Sequence, residues 1–145
     1  MTLSAAAASF GFRTTVRLKG TRVSVPPLIA IVDDDASLCS ALETLLRSLG
    51  YRSAAYESAL HFLASSDVGR CQCVISDISM PGMSGLELKR ELQAIGASDI
   101  PVILITARTE PTLLAQAKAS GAHSLLTKPF GADQLIASLT DALAG

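Results

Sequence analysis

Along the chain, continuously apolar runs of about five residues alternate with longer stretches whose apolar residues recur every three to four positions. Leu28–Val32 is apolar throughout, as a strand covered on both faces of a parallel sheet requires. Over Ala36–Leu49, Leu38, Ala41, Leu42, Leu45, Leu46 and Leu49 form one helical stripe, and Gly50 closes it. Arg52–Tyr56 then predicts a short strand and Glu57–Ser65 a short helix with Leu60 and Leu63 turned inward. Gln72–Ser76 predicts a third strand. Gly85–Ile95 predicts a third helix carrying Leu86, Leu88, Leu92 and Ile95, with Gly96 as its stop. Pro101–Ile105 is a second wholly apolar strand, with proline at a permitted first position. Glu110–Ser120, with Pro111 near its start, predicts a helix ended by Gly121. Ser124–Thr127 and Gly131–Ala144 are the last strand and helix. Five strand–helix units with short connections predict right-handed crossovers and a three-layer parallel α/β domain over residues 28–145.

Residues 1–27 break this pattern. They hold Arg13, Arg17, Lys19 and Arg22 and no acid, a net +4 against −5 for residues 28–145. Ala5–Ala8 is too weakly apolar for a signal-peptide core, and the Arg-rich, acid-free composition has only a slight transit-peptide flavour. Thr14–Leu18 and Thr21–Val25 alternate around Lys19-Gly20, which allows a marginal hairpin. The preferred expectation is a disordered or weakly structured extension that ends at Pro26-Pro27.

The 145 residues, 49% of them hydrophobic, suffice for one domain with a sizeable core. A formal net charge of −1 disfavours direct nucleic-acid binding, and the mildly acidic domain suits a site that collects a cation. No apolar run approaches the ~18 residues of a membrane span. Cys39, Cys71 and Cys73 are an odd set without metal-site spacing, so they read as free, buried or half-buried thiols in a reducing cytosol. His61 reads as a surface or half-buried side chain, and His123, at the entry to the last strand, as non-catalytic.

The candidate chemistry stands at the strand ends. Cys73–Gly85 (Cys-Val-Ile-Ser-Asp-Ile-Ser-Met-Pro-Gly-Met-Ser-Gly) delivers a lone carboxylate, Asp77, and then breaks into a turn-rich loop. The first strand ends in Asp33-Asp34-Asp35, the fourth in Thr106-Ala107 and the fifth in Lys128-Pro129. In a parallel sheet these ends share one edge, where ligands of such folds bind. Each residue has an ordinary role as cap, turn or surface charge; the convergence is what points to a site. Two carboxylates ~4 Å apart repel by about 4 kcal/mol at an effective dielectric near 20. Such a cluster persists when a cation or protons neutralise it, and an oxygen-only set favours a hard ion such as Mg²⁺. A carboxylate beside a divalent ion, a lysine and a hydroxyl is the set needed to accept a phosphoryl group, with Asp as nucleophile. A nucleotide-binding fold is disfavoured, because three aspartates replace a Gly-rich loop after the first strand.

Ile31–Asp35, Ser76–Gly85, Ile105-Thr106-Ala107 and Thr127–Phe130 resemble, in order and spacing, the motifs of the receiver domain of two-component response regulators. The likeness covers Leu28–Gly145, and Met-Pro-Gly-Met-Ser-Gly-Leu-Glu-Leu with the Lys-Pro-Phe ending is most similar to receivers of LuxR/FixJ-type regulators. The resemblance implies a flavodoxin-like, doubly wound five-stranded sheet of order 2-1-3-4-5 with five helices. It implies a cytoplasmic phosphoprotein whose Asp77 accepts a phosphoryl group from a histidine kinase or phosphotransfer protein. Asp34, Asp77 and the Ser79 backbone carbonyl would ligate Mg²⁺, with Asp33 acting through water. Thr106 would bond the phosphoryl group, Lys128 would pair with it, Ala107 would leave it room, and Lys128–Pro129 would be cis. Catalysis would be confined to self-phosphorylation and acyl-phosphate hydrolysis, with Ser79 and Arg108 tuning the lifetime.

Asp35 stands where many members carry Glu, and Leu125 where the family usually carries Tyr or Phe, which bears on the size of the switch. The output face implied is Glu110–Ser120, Ser124–Thr127 and Gly131–Ala144, a candidate for phosphorylation-promoted homodimerisation. No output domain follows Gly145, so a stand-alone receiver or a piece of a longer regulator is expected. The competing reading is a constitutive binding module with a weakened switch. A Mg²⁺-dependent phosphatase is less favoured, because Ser79 stands where such enzymes place a second Asp.

Overall fold

The computed structural model describes residues 14–18 and 21–144, with side chains described from Val25 onward. Residues 1–13 of the expected extension, and Lys19-Gly20 between its two alternating segments, lie outside the described residues. Strands β1 (Thr14–Leu18) and β2 (Thr21–Val25) pair antiparallel, with Thr14 opposite Val25 and Leu18 opposite Thr21. This hairpin is the marginal alternative that the alternation allows, not the disordered or weakly structured extension that is the preferred expectation.

The domain then runs β3 (Leu28–Val32), α1 (Ala36–Ser48), β4 (Arg52–Tyr56), α2 (Ala59–Leu63), β5 (Cys73–Asp77), α3 (Gly85–Ala94), β6 (Val102–Thr106), α4 (Pro111–Ala119), β7 (Ser124–Thr127) and α5 (Ala132–Ala144). The five strands β3–β7 form one parallel sheet in the order β4-β3-β5-β6-β7. Counted from β3 as first, that is the implied 2-1-3-4-5.

The three central strands β3, β5 and β6 are buried at every position, because helices cover both faces. Side chains alternate across the sheet with period two. Ile29, Ile31, Ile75, Ile103 and Ile105 pack toward Leu42 and Leu46 of α1 and Leu135 and Leu139 of α5. Ala30, Val32, Val74, Val102 and Leu104 pack toward Phe62 of α2, Leu88 and Leu92 of α3 and Ala117 of α4. Three layers follow directly from that alternation.

Local chemistry sets the helix starts. The Asp35 carboxylate accepts from the N–H groups of Ser37 (3.0 Å) and Leu38 (3.2 Å) and caps α1. Ser84 and Glu87 form a reciprocal capping box at α3, with bonds of 3.1 and 2.8 Å.

Several expected positions differ. The second helix begins only at Ala59, because the Ser58 hydroxyl caps it by accepting from the His61 N–H at 3.1 Å. Ala59 and Phe62 therefore turn inward, and Leu60 is 59% exposed. A short 3₁₀ turn over Ser66–Gly69 follows, where no element was expected. On α1, Ala41 is exposed and lies outside the buried stripe. Helix α3 ends at Ala94, so Ile95 is its C-cap and leaves the apolar stripe, 55% exposed. Cys39, Cys71 and Cys73 are all free and buried, and burial pushes the Cys73 thiol up to about 12. His61 is exposed beside Glu57 at 3.9 Å, and His123 pairs with Asp141 at 2.9 Å, at the opposite sheet edge from the strand ends that carry acids. Among the described residues no helix is long and apolar enough to cross a membrane.

Candidate functional site

The strand ends bring Asp33, Asp34, Asp77 and Lys128 together. Asp33 directly follows β3, and its backbone N–H donates to the Tyr56 carbonyl of β4 at 3.0 Å. Asp77 is the last residue of β5, and the next N–H, of Ile78, donates to the Ile105 carbonyl of β6 at 2.8 Å. Lys128 follows β7, with its N–H donating to the Thr106 carbonyl at 2.7 Å. The sheet ladder thus fixes three candidate site residues relative to one another. The Lys128–Pro129 peptide bond is cis.

Asp33, Asp34 and Asp77 each offer a carboxylate oxygen, and these oxygens lie within 4.8 Å of one another. Lys128 Nζ lies 3.5 Å from Asp33 Oδ2 and 3.5 Å from Asp77 Oδ2. Asp33 and Asp77 are buried, at 1% and 7% exposure, whereas Asp34 is exposed. Asp33 Oδ1 also accepts the Asp35 N–H at 2.9 Å.

Burial is the first cause that raises the Asp77 carboxyl above its ordinary range; Asp34 adds to it, while Lys128 and the Ser79 backbone N–H oppose it. The Asp33 carboxyl is raised in the same way, first by burial and then by Asp77, against the Asp35 N–H and Lys128. Lys128 shows the converse. Burial pulls its ammonium down, but Asp77 and Asp33 outweigh that and raise it. Three acids against one lysine leave net negative charge at this edge of the sheet. An oxygen-only donor set with that charge fits a hard divalent cation such as Mg²⁺.

Thr106, at the end of β6, is fully buried, but its hydroxyl turns to its own loop. It donates to the Arg108 carbonyl at 3.2 Å and accepts the Arg108 N–H at 2.9 Å. Among the described residues no hydrogen bond joins the Thr106 hydroxyl to the side chain of Asp77 or Lys128. Ser79 and Ala107 are exposed beside the cluster's strand ends. Arg108 Nε donates to Glu110 Oε1 at 2.9 Å. Leu125, opposite Leu104 in the β6–β7 register, is half-buried against the core that contains Leu104 and Ala117.

Two structural supports went unnoticed at the level of sequence. A Cβ on Gly85 would collide with the Asp77 carbonyl oxygen and lie 3.0 Å from Ile78 Cα, so α3 begins directly against the backbone of Asp77. The signal was a glycine inside the first helical turn, where propensity disfavours it. The second is Glu110, whose pairing depends on a loop conformation that no sequence pattern encodes.

A family model, the response regulator receiver domain, matches residues 29–140. The response regulator protein TmoT of Ectopseudomonas mendocina is 40% identical over 118 residues, covering 80% of this chain and 52% of that protein. TodT of Pseudomonas putida is 36% identical over 131 residues, covering 90% of this chain and 56% of TodT. The chain spans about half the length of these curated relatives. The solved structure of response regulator StyR superimposes with a TM-score of 0.75 at 35% identity, over 83% of this chain and 60% of that one. The chain belongs to the response regulator receiver domain family of two-component systems.

Proposed function

We propose that the domain is a phosphorylation-controlled signalling switch in which Asp77 accepts a phosphoryl group from a histidine kinase or phosphotransfer protein. The observation that carries this reading is the meeting of Lys128 Nζ with both Asp33 Oδ2 and Asp77 Oδ2 at 3.5 Å, inside a three-carboxylate cluster. An oxygen of Asp77 attacks phosphorus, and a P–O bond forms as the bond to the donor nitrogen breaks; the electron pair leaves with that nitrogen. Lys128 keeps Asp77 ionised against its burial and pairs with the phosphoryl oxygens as they arrive. Asp34, Asp77 and the Ser79 carbonyl would hold Mg²⁺, with Asp33 acting through water. The ion would supply compensating charge for the transferring oxygens.

The Thr106 hydroxyl, held by Arg108 in the unmodified protein, exchanges that loop bond for one to the phosphoryl group, and Ala107 leaves space beside it. Leu125 has no polar tip and packs against the core, so the movement passed to α4, β7 and α5 is one of packing. That face is the proposed relay and homodimer surface. Because hydrolysis returns the protein to its starting state, turnover of an external substrate is not required.

Incubation with Mg²⁺ and acetyl phosphate should add the mass of one phosphoryl group to wild type and none to Asp77→Asn. Equal spectra for the two proteins would refute the assignment. A constitutive binding module would instead give equal partner affinity for both, where a switch gives a coupling of at least ~1 kcal/mol.

A further inference from the structure

Ser76 stands one residue before the candidate phosphoacceptor and has no part in the site as assembled above. It is fully buried in the central strand β5. By alternation it shares a face with Val74, which packs among Val102, Leu104 and Leu88. A hydroxyl enclosed by aliphatic side chains is unfavourable unless it is hydrogen-bonded, and valine suits such a strand better. The Ser76 hydroxyl does have a partner: it donates to the Asp77 carbonyl at 3.0 Å.

That carbonyl lacks a rung of the ladder. The β3–β5 register ends at the pair Val32–Ser76, so Asp77 lies one residue past the last pair on that side. Asp33, the next residue after β3, turns its N–H to the Tyr56 carbonyl of β4 instead. Toward β6 the adjoining bond is made by the Ile78 N–H and the Ile105 carbonyl, and it leaves the Asp77 carbonyl out. Among the described residues no backbone N–H from outside the strands is bonded to it. Gly85 presses so close that a Cβ there would collide with this oxygen. A buried carbonyl in such a place needs a donor, and Ser76 supplies one.

The bond closes a frame around the carboxylate. The Asp77–Ile78 peptide is held at its C=O by the Ser76 hydroxyl and at its N–H by Ile105. The following peptide is held at its C=O by the Gly85 N–H, 2.9 Å away, and at its N–H, that of Ser79, by the Asp77 carboxylate. Of these four partners, the Ser76 hydroxyl is the one that a side-chain substitution removes without altering Asp77 or the backbone.

We propose that Ser76 is a positioning residue whose hydroxyl fixes the Asp77–Ile78 peptide and, through it, the aim of the Asp77 carboxylate and the Ser79 backbone into the acidic cluster. This rests on the reading of Asp77 as phosphoacceptor and of Asp77 and Ser79 as holding Mg²⁺. Ser76 itself touches neither group. Without the hydroxyl the peptide turns more freely, the carboxylate samples more orientations, and events that need it aligned become less frequent.

The test compares wild type with Ser76→Ala, Ser76→Cys and Ser76→Thr. Cysteine fills the space of serine but is a weak donor, whereas threonine keeps the hydroxyl. In calorimetric titration with Mg²⁺, the dissociation constant should rise about three- to tenfold in Ser76→Ala and Ser76→Cys, the range that loss of one net hydrogen bond allows. Ser76→Thr should stay close to wild type. With acetyl phosphate, followed by intact mass, the maximal labelling rate should fall in Ser76→Ala and Ser76→Cys while the half-saturating concentration holds. A hydroxyl with a merely structural role would lower their melting temperatures in EDTA and leave the Mg²⁺ constants of the folded proteins unmoved. Wild-type Mg²⁺ constants in Ser76→Ala and Ser76→Cys therefore overturn the proposal, as does an equal loss in Ser76→Thr. A wild type that binds Mg²⁺ but takes up no phosphoryl group overturns the phosphoacceptor reading, and the Mg²⁺ constants still decide the role of Ser76. A wild type that binds no Mg²⁺ overturns the proposal outright.

Discussion

Replacing Asp77 by Asn should stabilise the metal-free protein, although it deletes a buried, hydrogen-bonded carboxylate. Each of Asp33 and Asp34 places a carboxylate oxygen within 4.8 Å of one on Asp77, a repulsion of about 3.5 kcal/mol per pair at an effective dielectric near 20. The Lys128 ammonium at 3.5 Å returns about 4.7 kcal/mol on the same scale. Two repulsions against one attraction leave about 2 kcal/mol of net penalty, and burial adds to it. Asp34 is exposed, so water screens its share; a gain of about 1–2 kcal/mol on neutralising Asp77 is the working figure. In thermal unfolding followed by circular dichroism in EDTA, Asp77→Asn should therefore melt roughly 3–8 °C above wild type. Mg²⁺ should reverse the order of benefit. At tenfold excess over its dissociation constant it stabilises by about 1.4 kcal/mol, and that gain should shrink in Asp77→Asn, which has lost a ligand charge. An Asp77→Asn protein that melts at or below wild type in EDTA, or equal Mg²⁺ shifts in the two, would refute the electrostatic account of the cluster.

Two further outcomes follow from the same geometry. The Asp33 and Asp77 carboxyls are raised in the folded protein, so their contribution is greatest when protonated and is lost as pH rises through their folded-state values. In EDTA, the stability of wild type relative to the Asp33→Asn/Asp77→Asn double variant should fall as pH rises from the ordinary carboxylate range through the raised folded-state values; melting curves in which that difference grows with pH would contradict it. Gly85→Ala drives a methyl into the Asp77 carbonyl oxygen and against Ile78 Cα, and should cost about 1–3 kcal/mol in urea unfolding. It should also slow acetyl phosphate labelling, whereas a variant with wild-type stability and labelling would show that α3 does not fix the Asp77 backbone.

The parts of the fold most legible in sequence are those governed by a single period. β3 and β6 read as apolar runs and β5 as a shorter one that ends in Ser76-Asp77, and all three are buried at every residue; a run without alternation marks the strand but not its ends, so β5 and β6 each lie one residue later than expected. Where an element is too short for its period to dominate, local hydrogen bonds decide. The Ser58 cap delays α2, and the delay swaps Leu60 for Phe62 at the core. Ile95 leaves its stripe for a similar reason, since the helix ends one residue before it. At the site, the identities of Asp33, Asp34, Asp77 and Lys128 and their convergence are legible, because strand ends in a parallel sheet must share an edge. The direction of the Thr106 hydroxyl is not. It is one rotamer among staggered alternatives, set by the Arg108 backbone in a loop whose course no pattern specifies.

The energetics of this convergence argue for a function apart from any likeness. A fold that only needed to be stable would not gather three carboxylates and bury two of them with one lysine between them. The cost is confined to the sheet edge, and the opposing contribution comes from elsewhere: three central strands with no exposed side chain, packed on both faces. Stability built into the centre lets the edge hold charges that repel each other, and such a site responds to any change in its charge. A divalent cation lowers the repulsion, and a phosphoryl group on Asp77 raises it. Lys128 lies against the cluster, and the Thr106 hydroxyl is held by the Arg108 backbone in the adjoining loop. A switch of the proposed kind needs a hydroxyl bonded to an exchangeable loop partner, because one locked to a core partner could not respond to what happens at Asp77.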